Sequence, residues 1–423
     1  MCQVVITGAG VVSSLGTTLA EFKQRMFASE SGAIDIRGKL VAANFPVSAA
    51  APVLEIPKLP HIFSEFEPTE VPHVLQLAGS ATQQALDFFP EGIPIDGVVF
   101  GGQNTASSGH ICKSLSQSIH ESRDWPSPLE LVHRILEQRG HGPLDERNLI
   151  SIHNVTVSSN QAIGMAFQRI RSGLWERAVV SAVYGRCGAR ELMNFHMLGT
   201  LNTDPGEHGK ASRPFSKSRS GFVMGEGAAT LVLEARAAAE KRGANILGMV
   251  TGYATTSDAY RITDGHPEAT AASVTMQRAI HDAGLSSAEI NAISAHGTST
   301  RMNDRIETMA IKHAFGPSAY RLPVTSLKSQ IGHCLAAAGA LEAVASLLML
   351  SEQKLAPTIN YSEADPECDL DYVPNRARPA RLQRILSNNF GFGGQNTSVV
   401  FENAPSSNVH QGSSHEHLSV FNL

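Results

Sequence analysis

The chain has 423 residues, 42% hydrophobic and only 17% charged, enough to bury a large core in one big α/β unit or in two ordinary domains. A formal net charge of −5 excludes a general polyanion-binding surface, so no nucleic acid is expected as the main partner. Five scattered cysteines (Cys2, Cys112, Cys187, Cys334, Cys368), without a CxxC pair, argue against a disulfide framework and a zinc cluster; no metal is expected, and a reducing cytoplasm is the expected location.

The start of the chain lacks a basic segment followed by an apolar one, so no secretory signal is expected. Val4-Val5-Ile6-Thr7-Gly8 is a short apolar run ended by glycine, which predicts a buried strand turning tightly into a loop. Its continuation places Ser13 where a dinucleotide fingerprint needs its third glycine, so a nucleotide site is set aside. Residues 35–70 predict an irregular excursion. Strand-like runs follow at 97–100, 178–183, 229–233, 246–253, 292–295, 323–326 and 397–401, with helical patterns at 161–173, 234–242, 271–283 and 335–352. This alternation predicts α/β architecture with largely buried sheets. The apolar window 334–350 contains Glu342 and is rich in Ala and Gly; it predicts a buried helix, not a membrane span. The polar tail, residues 404–423, is expected to be flexible, with His415-Glu416-His417 solvated.

Four segments carry the chemistry. They are Thr156 to Gly164 (Thr-Val-Ser-Ser-Asn-Gln-Ala-Ile-Gly), His296-Gly297-Thr298-Ser299-Thr300, Lys328-Ser329-Gln330-Ile331-Gly332-His333, and Asn389-Phe390-Gly391-Phe392-Gly393-Gly394. In that order, and together with Ser212-Arg213-Pro214-Phe215 and Gly221 to Gly227, they resemble the β-ketoacyl-ACP synthases over about residues 3–402. The resemblance implies a thiolase-like fold of two similar halves, layered α/β/α/β/α, with bounds 1–235 and 236–403.

It also implies a site. In the family a cysteine at the start of a buried helix holds an acyl group, its pKa lowered by the positive helix end. Here Ile163-Gly164 aligns without a gap, and the cysteine position, seven residues before Ile163, is Thr156. A threonine hydroxyl needs a strong base to attack; none is adjacent, so Thr156 reads as an N-cap or a filler. Making Ser158 the nucleophile would require a two-residue deletion in the helix. His296 and His333 match the neutral imidazoles that hold the malonyl thioester oxygen, Lys328 the lysine that supports them, and Glu342 a glutamate buried near that lysine. Phe390 and Thr156 match the two backbone N–H donors of the oxyanion hole. Thr298 and Thr300 match hydroxyls for the pantetheine amides, and Gly391, Phe392 and Gly393 the glycine loop beside the acyl entrance. Ser216 and Ser220 stand where acids are common, and Arg301 where a proline is, which removes expected loop salt bridges.

With the thiol absent and the histidines retained, the expected activity is decarboxylation of malonyl-ACP to acetyl-ACP without elongation. That resembles the decarboxylases of polyketide β-branching cassettes. The chain would need no cofactor of its own, only the phosphopantetheine of an acyl carrier protein. The expected assembly is a homodimer, with 178–183 as a candidate interface strand, and an HMG-CoA-synthase-like partner would consume the product. Two alternatives are a non-catalytic chain-length-factor subunit, against which His296, Lys328 and His333 weigh, and a condensing enzyme whose nucleophile was replaced.

Overall fold

The structure, a computed structural model, describes residues 2–55, 57–102, 125–204 and 206–404; Cys112 and the 405–423 part of the tail fall outside them. Ten strands form the central sheet: β1 (Val4–Ser13), β2 (Gly97–Gly102), β3 (Leu149–Ile152), β4 (Arg177–Tyr184), β5 (Gly227–Ala235), β6 (Gly248–Ser257), β7 (Ala292–Ser294), β8 (Val324–Thr325), β9 (Arg384–Gly391) and β10 (Gln395–Glu402). Their spatial order is β8-β7-β9-β10-β6-β1-β5-β4-β2-β3. The first five strands lie in the order 3-2-4-5-1 from their edge, and the last five repeat that order from theirs. Pairing directions repeat too: β1–β5 and β5–β4 are antiparallel and β4–β2 and β2–β3 parallel, as are β6–β10, β10–β9, β9–β7 and β7–β8 in turn. The halves join where Val4, Val5 and Ile6 pair with Val250, Met249 and Gly248.

Five helices matter for the site: α1 (His73–Asp87), α2 (Ser158–Arg171), α3 (Thr270–Asp282), α4 (Arg301–Phe315) and α5 (Ala338–Glu352). Helices α2 and α5 touch each other and strands of both halves; α1 covers the outer face of the first half, and α3, backed by α4, that of the second. Strand side chains point alternately to opposite faces. Accordingly Ala178, Val180 and Ala182 enter the central core with α2 and α5, while Val179 and Val183 enter the outer core with α1. Burial on both faces explains why the strands read as unbroken apolar runs. Helix α5 is the buried helix foreseen at 335–352, opened by a short 3-10 turn at Leu335–Ala337.

Three expectations change. Strand β1 does not stop at Gly8 but runs to Ser13, with a register shift between Ile6 and Gly8. The glycines serve close packing instead: a Cβ at Gly8 would lie 2.3 Å from the Ala85 carbonyl oxygen of α1, and one at Gly10 2.0 Å from that of Ala81. The irregular 35–70 excursion contains the central strand of a small three-stranded sheet, Ala49–Ala51, paired with Ile34–Asp35 and Met224–Gly225. Segment 178–183 is no edge, since β4 is hydrogen-bonded to β5 and β2. Its apolarity reflects two cores rather than an interface; among the described residues the edge of that half is β3, half-buried and paired with β2 alone.

Gly10→Ala should destabilise the fold by at least the roughly 1–3 kcal/mol typical of overpacking, because the obstructing atom is backbone. A urea unfolding midpoint equal to wild type would show that α1 can move away freely.

Candidate active site

Two similar turns deliver the reacting groups. Before α2, Val155–Val157 forms a 3-10 turn in which Val155 has φ +45°; before α5, Leu335–Ala337 does the same with Leu335 at φ +40°. A β-branched or leucine side chain in the left-handed region is strained, by about 1–3 kcal/mol, and persists only where packing imposes it. The helices meet close to their N-termini: Ala340 N–H donates to Ser159 Oγ at 3.1 Å, and a Cβ at Gly339 would lie 2.4 Å from Asn160 Oδ1. Both helix starts therefore bring positive partial charge to one place.

Thr156 is 3% exposed, and its Oγ1 lies 3.5 Å from His333 Nε2. It is not an N-cap, since the residue preceding α2 is Val157 and no side chain caps that turn. Ser158 is engaged locally: its hydroxyl donates to the Val155 carbonyl at 2.7 Å and accepts from Asn154 N–H at 2.9 Å. That hydroxyl has no freedom to attack anything.

His333 follows Gly332, which has φ +68°, and its backbone N–H donates to the Val223 carbonyl at 2.6 Å. The Leu335 N–H donates to His333 Nδ1 at 3.1 Å. Nδ1 is thus the acceptor nitrogen, and in the neutral ring the proton resides on Nε2, facing Thr156. His296 follows β7, and its ring centroid lies 5.5 Å from that of His333 and 5.6 Å from Phe390. Burial holds both imidazoles well below the usual histidine range, and the Lys328 charge pushes them further down.

Lys328 and Glu342 lie behind the histidines, both buried and paired Nζ to Oε1. Burial raises the Glu342 carboxyl despite the lysine beside it and the Asn389 amide that donates to Oε2 at 2.6 Å. Cys334, next to His333, is no substitute nucleophile, because burial pushes its thiol up, and the same holds for Cys187.

The turn after His296 is held by two acids that sequence reasoning missed. Glu307 accepts from the N–H groups of His296 (2.8 Å) and Gly297 (2.7 Å). Asp304 accepts from those of Thr298 (3.0 Å), Ser299 (3.2 Å) and Phe215 (2.8 Å). Burial lifts the Glu307 carboxyl to about 7. Their signal was present, since both fall on the inner face of α4 just after the histidine motif. Thr298 and Thr300 hydroxyls are 2.9 Å apart, and Thr300 caps α4 by accepting from Asn303 N–H. The lost acids at Ser216 and Ser220 do not leave the loop without ion pairs. Arg219, 2% exposed, bridges Asp304 and Asp365, and Arg213 pairs with Asp204 at 2.6 Å. Arg301 Nε donates back to the Arg219 carbonyl at 3.4 Å.

Strand β9 brings Phe390 and Gly391 beside the Thr156 turn; a Cβ at Gly391 would lie 3.8 Å from Thr156 Cβ. Gly393 and Gly394, with φ +88° and +73°, turn the chain into β10, and Gly393 N–H donates to the Ile262 carbonyl at 2.6 Å. A cavity of about 460 Å³ is lined by Thr156, His296, His333, Thr298, Thr300, Phe390, Gly391 and Phe392, together with Phe222 and Leu198. Lys328, Glu342 and Gly393 support this wall from outside it. The arrangement can hold an anionic oxygen against neutral N–H donors.

Comparison with known proteins agrees with this geometry. Residues 150–239 match the N-terminal domain of β-ketoacyl synthases and residues 247–362 the C-terminal domain. The chain is 35% identical over 408 residues to the 3-oxoacyl-[acyl-carrier-protein] synthase 2 of Coxiella burnetii, covering 94% of this chain and 98% of that one. It is 42% identical to the corresponding Synechocystis enzyme over 262 residues, 59% of this chain and 61% of that one. Among solved structures, a type II polyketide ketosynthase in complex with its acyl-carrier protein superposes with a TM-score of 0.82 at 28% identity, covering 95% of this chain and all of that one. The ishigamide ketosynthase/chain length factor gives 0.81 at 29%, covering 96% and 100%. The fold is therefore the thiolase-like ketosynthase fold. The chain belongs to the β-ketoacyl synthase family.

The depressed histidines set a pH dependence of stability. Between their folded values and about 6.5 the unfolded chain binds more protons, so the contribution of these two rings to stability is full above about pH 6.5 and is lost on acidification. Thermal midpoints from about pH 7 to 5 should drop less for the double variant His296→Gln, His333→Gln than for wild type. Equal drops would mean that these rings do not carry the dependence.

Proposed function

We propose that this protein decarboxylates a malonyl group carried on an acyl carrier protein and protonates the product, giving the acetyl thioester without elongation. The observation that carries this reading is Thr156: a hydroxyl occupies the helix start where condensation needs a thiolate, inside a site whose other donors are assembled. The hydroxyl has no base. His333 presents its Nε2 proton to Thr156 rather than a lone pair, and burial plus Lys328 make both imidazoles poor bases.

The same features suit the malonyl group. Neutral N–H donors of His333 and His296 accept the growing charge on the thioester oxygen as the bond from the α-carbon to the carboxylate breaks. The bonding pair becomes the enolate, carbon dioxide leaves, and a proton from solvent completes the acetyl group. The backbone N–H groups of Thr156 and Phe390 do not depend on the side chain at 156. Phosphopantetheine would run past Thr298 and Thr300, flanked by the Gly391–Gly393 turn. The expected setting is polyketide β-branching in the cytoplasm, with an HMG-CoA-synthase-like consumer and a homodimer formed along β3.

A second reading is favoured by one observation: a ketosynthase/chain length factor assembly is among the similar structures. On it, the chain would pair through β3 with an active synthase and do no chemistry. A condensing enzyme with a replaced nucleophile is the third.

Mass spectrometry of malonyl-ACP incubated with the purified protein should show acetyl-ACP, and His333→Ala should slow it by the roughly 2.7–4 kcal/mol typical of losing one aimed donor. No product from wild type, with recovery only as a heterodimer with a second synthase, would favour the chain-length factor. Thr156→Cys should acquire an acyl group from acyl-ACP and react with iodoacetamide at residue 156, helped by the helix end. An acyl group found on wild-type Thr156 or Ser158 would overturn the non-elongating mechanism.

A further inference from the structure

Glu342 is gripped from two sides, and the sequence assigned a role to only one of the two gripping residues, Lys328. Its Oε1 pairs with Lys328 Nζ, while its Oε2 accepts from Asn389 Nδ2 at 2.6 Å. Asn389 lies on β9 immediately before Phe390, is fully buried, and also donates from Nδ2 to the Asn388 carbonyl at 2.8 Å. Among the described residues its Oδ1 has no partner. The side chain is thus committed as a donor, and its task is Glu342. We propose that Asn389 is a positioning residue: by fixing one Glu342 oxygen it keeps the other on Lys328, and so keeps the ammonium aimed at His296 and His333.

The surroundings leave little to replace it. The titratable groups that the Lys328 charge influences are His296, His333, Glu307, Cys334 and Glu342 itself, and Glu226 reaches this cluster through Cys334. None of them donates to Glu342 Oε2. Deprived of Asn389, that buried oxygen must take up a proton or turn away, and either change weakens the hold on Lys328.

The isosteric pair Asn389→Asp and Asn389→Leu separates positioning from mere packing. A protonated aspartate still donates to Glu342 Oε2, whereas an ionised one sets a second anion against it. The kinetic part rests on the decarboxylase reading. With malonyl-ACP, Asn389→Asp should approach the wild-type rate near about pH 5 and lose about tenfold or more by about pH 8 with KM unchanged, while Asn389→Leu should be slow throughout. The second readout needs no activity: the ring resonances of labelled His296 and His333, followed by NMR across pH, should match wild type near about pH 5 and depart from it by about pH 8 in Asn389→Asp, because ionisation of the aspartate sets an anion against Glu342 and disturbs the Lys328 pair beside both rings. A pH–rate profile and histidine titration both matching wild type would overturn the proposal. If wild type makes no acetyl-ACP, the decarboxylase reading fails and the titration alone decides the role of Asn389. If Asn389→Leu does not fold, Asn389→Asp carries the test; its folding only at acidic pH would itself support the required donor.

Discussion

The site depends on one buried ion pair. Taking Lys328 and Glu342 out of water costs several kcal/mol per ion, which their attraction offsets only if the remaining lone pairs and protons are also met. Here Asn389 meets the second carboxylate oxygen. The reward is electrostatic rather than structural: burial already keeps the two imidazoles neutral, and a fixed positive charge beside them pushes further the same way. Neutral rings donate hydrogen bonds without themselves being strong bases, which suits charge developing on a thioester oxygen and suits nucleophile activation poorly.

Duplication explains why these groups meet. Each half contributes one strained turn and one central helix, and the two helices pack with their starts together. The first turn carries Thr156, and the second follows directly on His333. Two further segments from the second half, the turn after β7 and the end of β9, close the pocket with His296 and Phe390. The strain at Val155 and Leu335 is sustained by this packing, and it places residue 156 at the mouth of a helix rather than within it. Family membership accounts for this framework, and Thr156 occupies the turn at the start of the first central helix within it.

The acids on α4 show how the histidine turn acquires its shape. Backbone N–H groups of four consecutive residues, His296 to Ser299, converge on Glu307 and Asp304, and Arg219 balances the latter. These contacts tie the turn to α4 at each of its four backbone N–H groups. Preorganisation of this kind is what makes donor groups effective in a dry site.

Much was legible in the chain alone, because it depended on local order. The motif series from Thr156 to Gly394 pointed to the fold and to part of the cavity wall, Thr156, His296, Thr298, Thr300, His333, Phe390, Gly391 and Phe392, and unbroken apolar runs announced strands buried on both faces. Composition and periodicity could not go further. Gly8 and Gly10 looked like a turn because the constraint on them comes from α1, some seventy residues away in sequence. Segment 178–183 looked like an interface because an apolar run does not say which strands flank it. Asp304, Glu307 and Asn389 took on roles only when α4 and β9 were laid beside the histidine turn and α5. The proton position on His333 was likewise decided by the fold, through the Leu335 N–H that the strained turn aims at its Nδ1. Which residues a chain offers is written in its order; which lone pair each is left with depends on neighbours that only tertiary packing supplies.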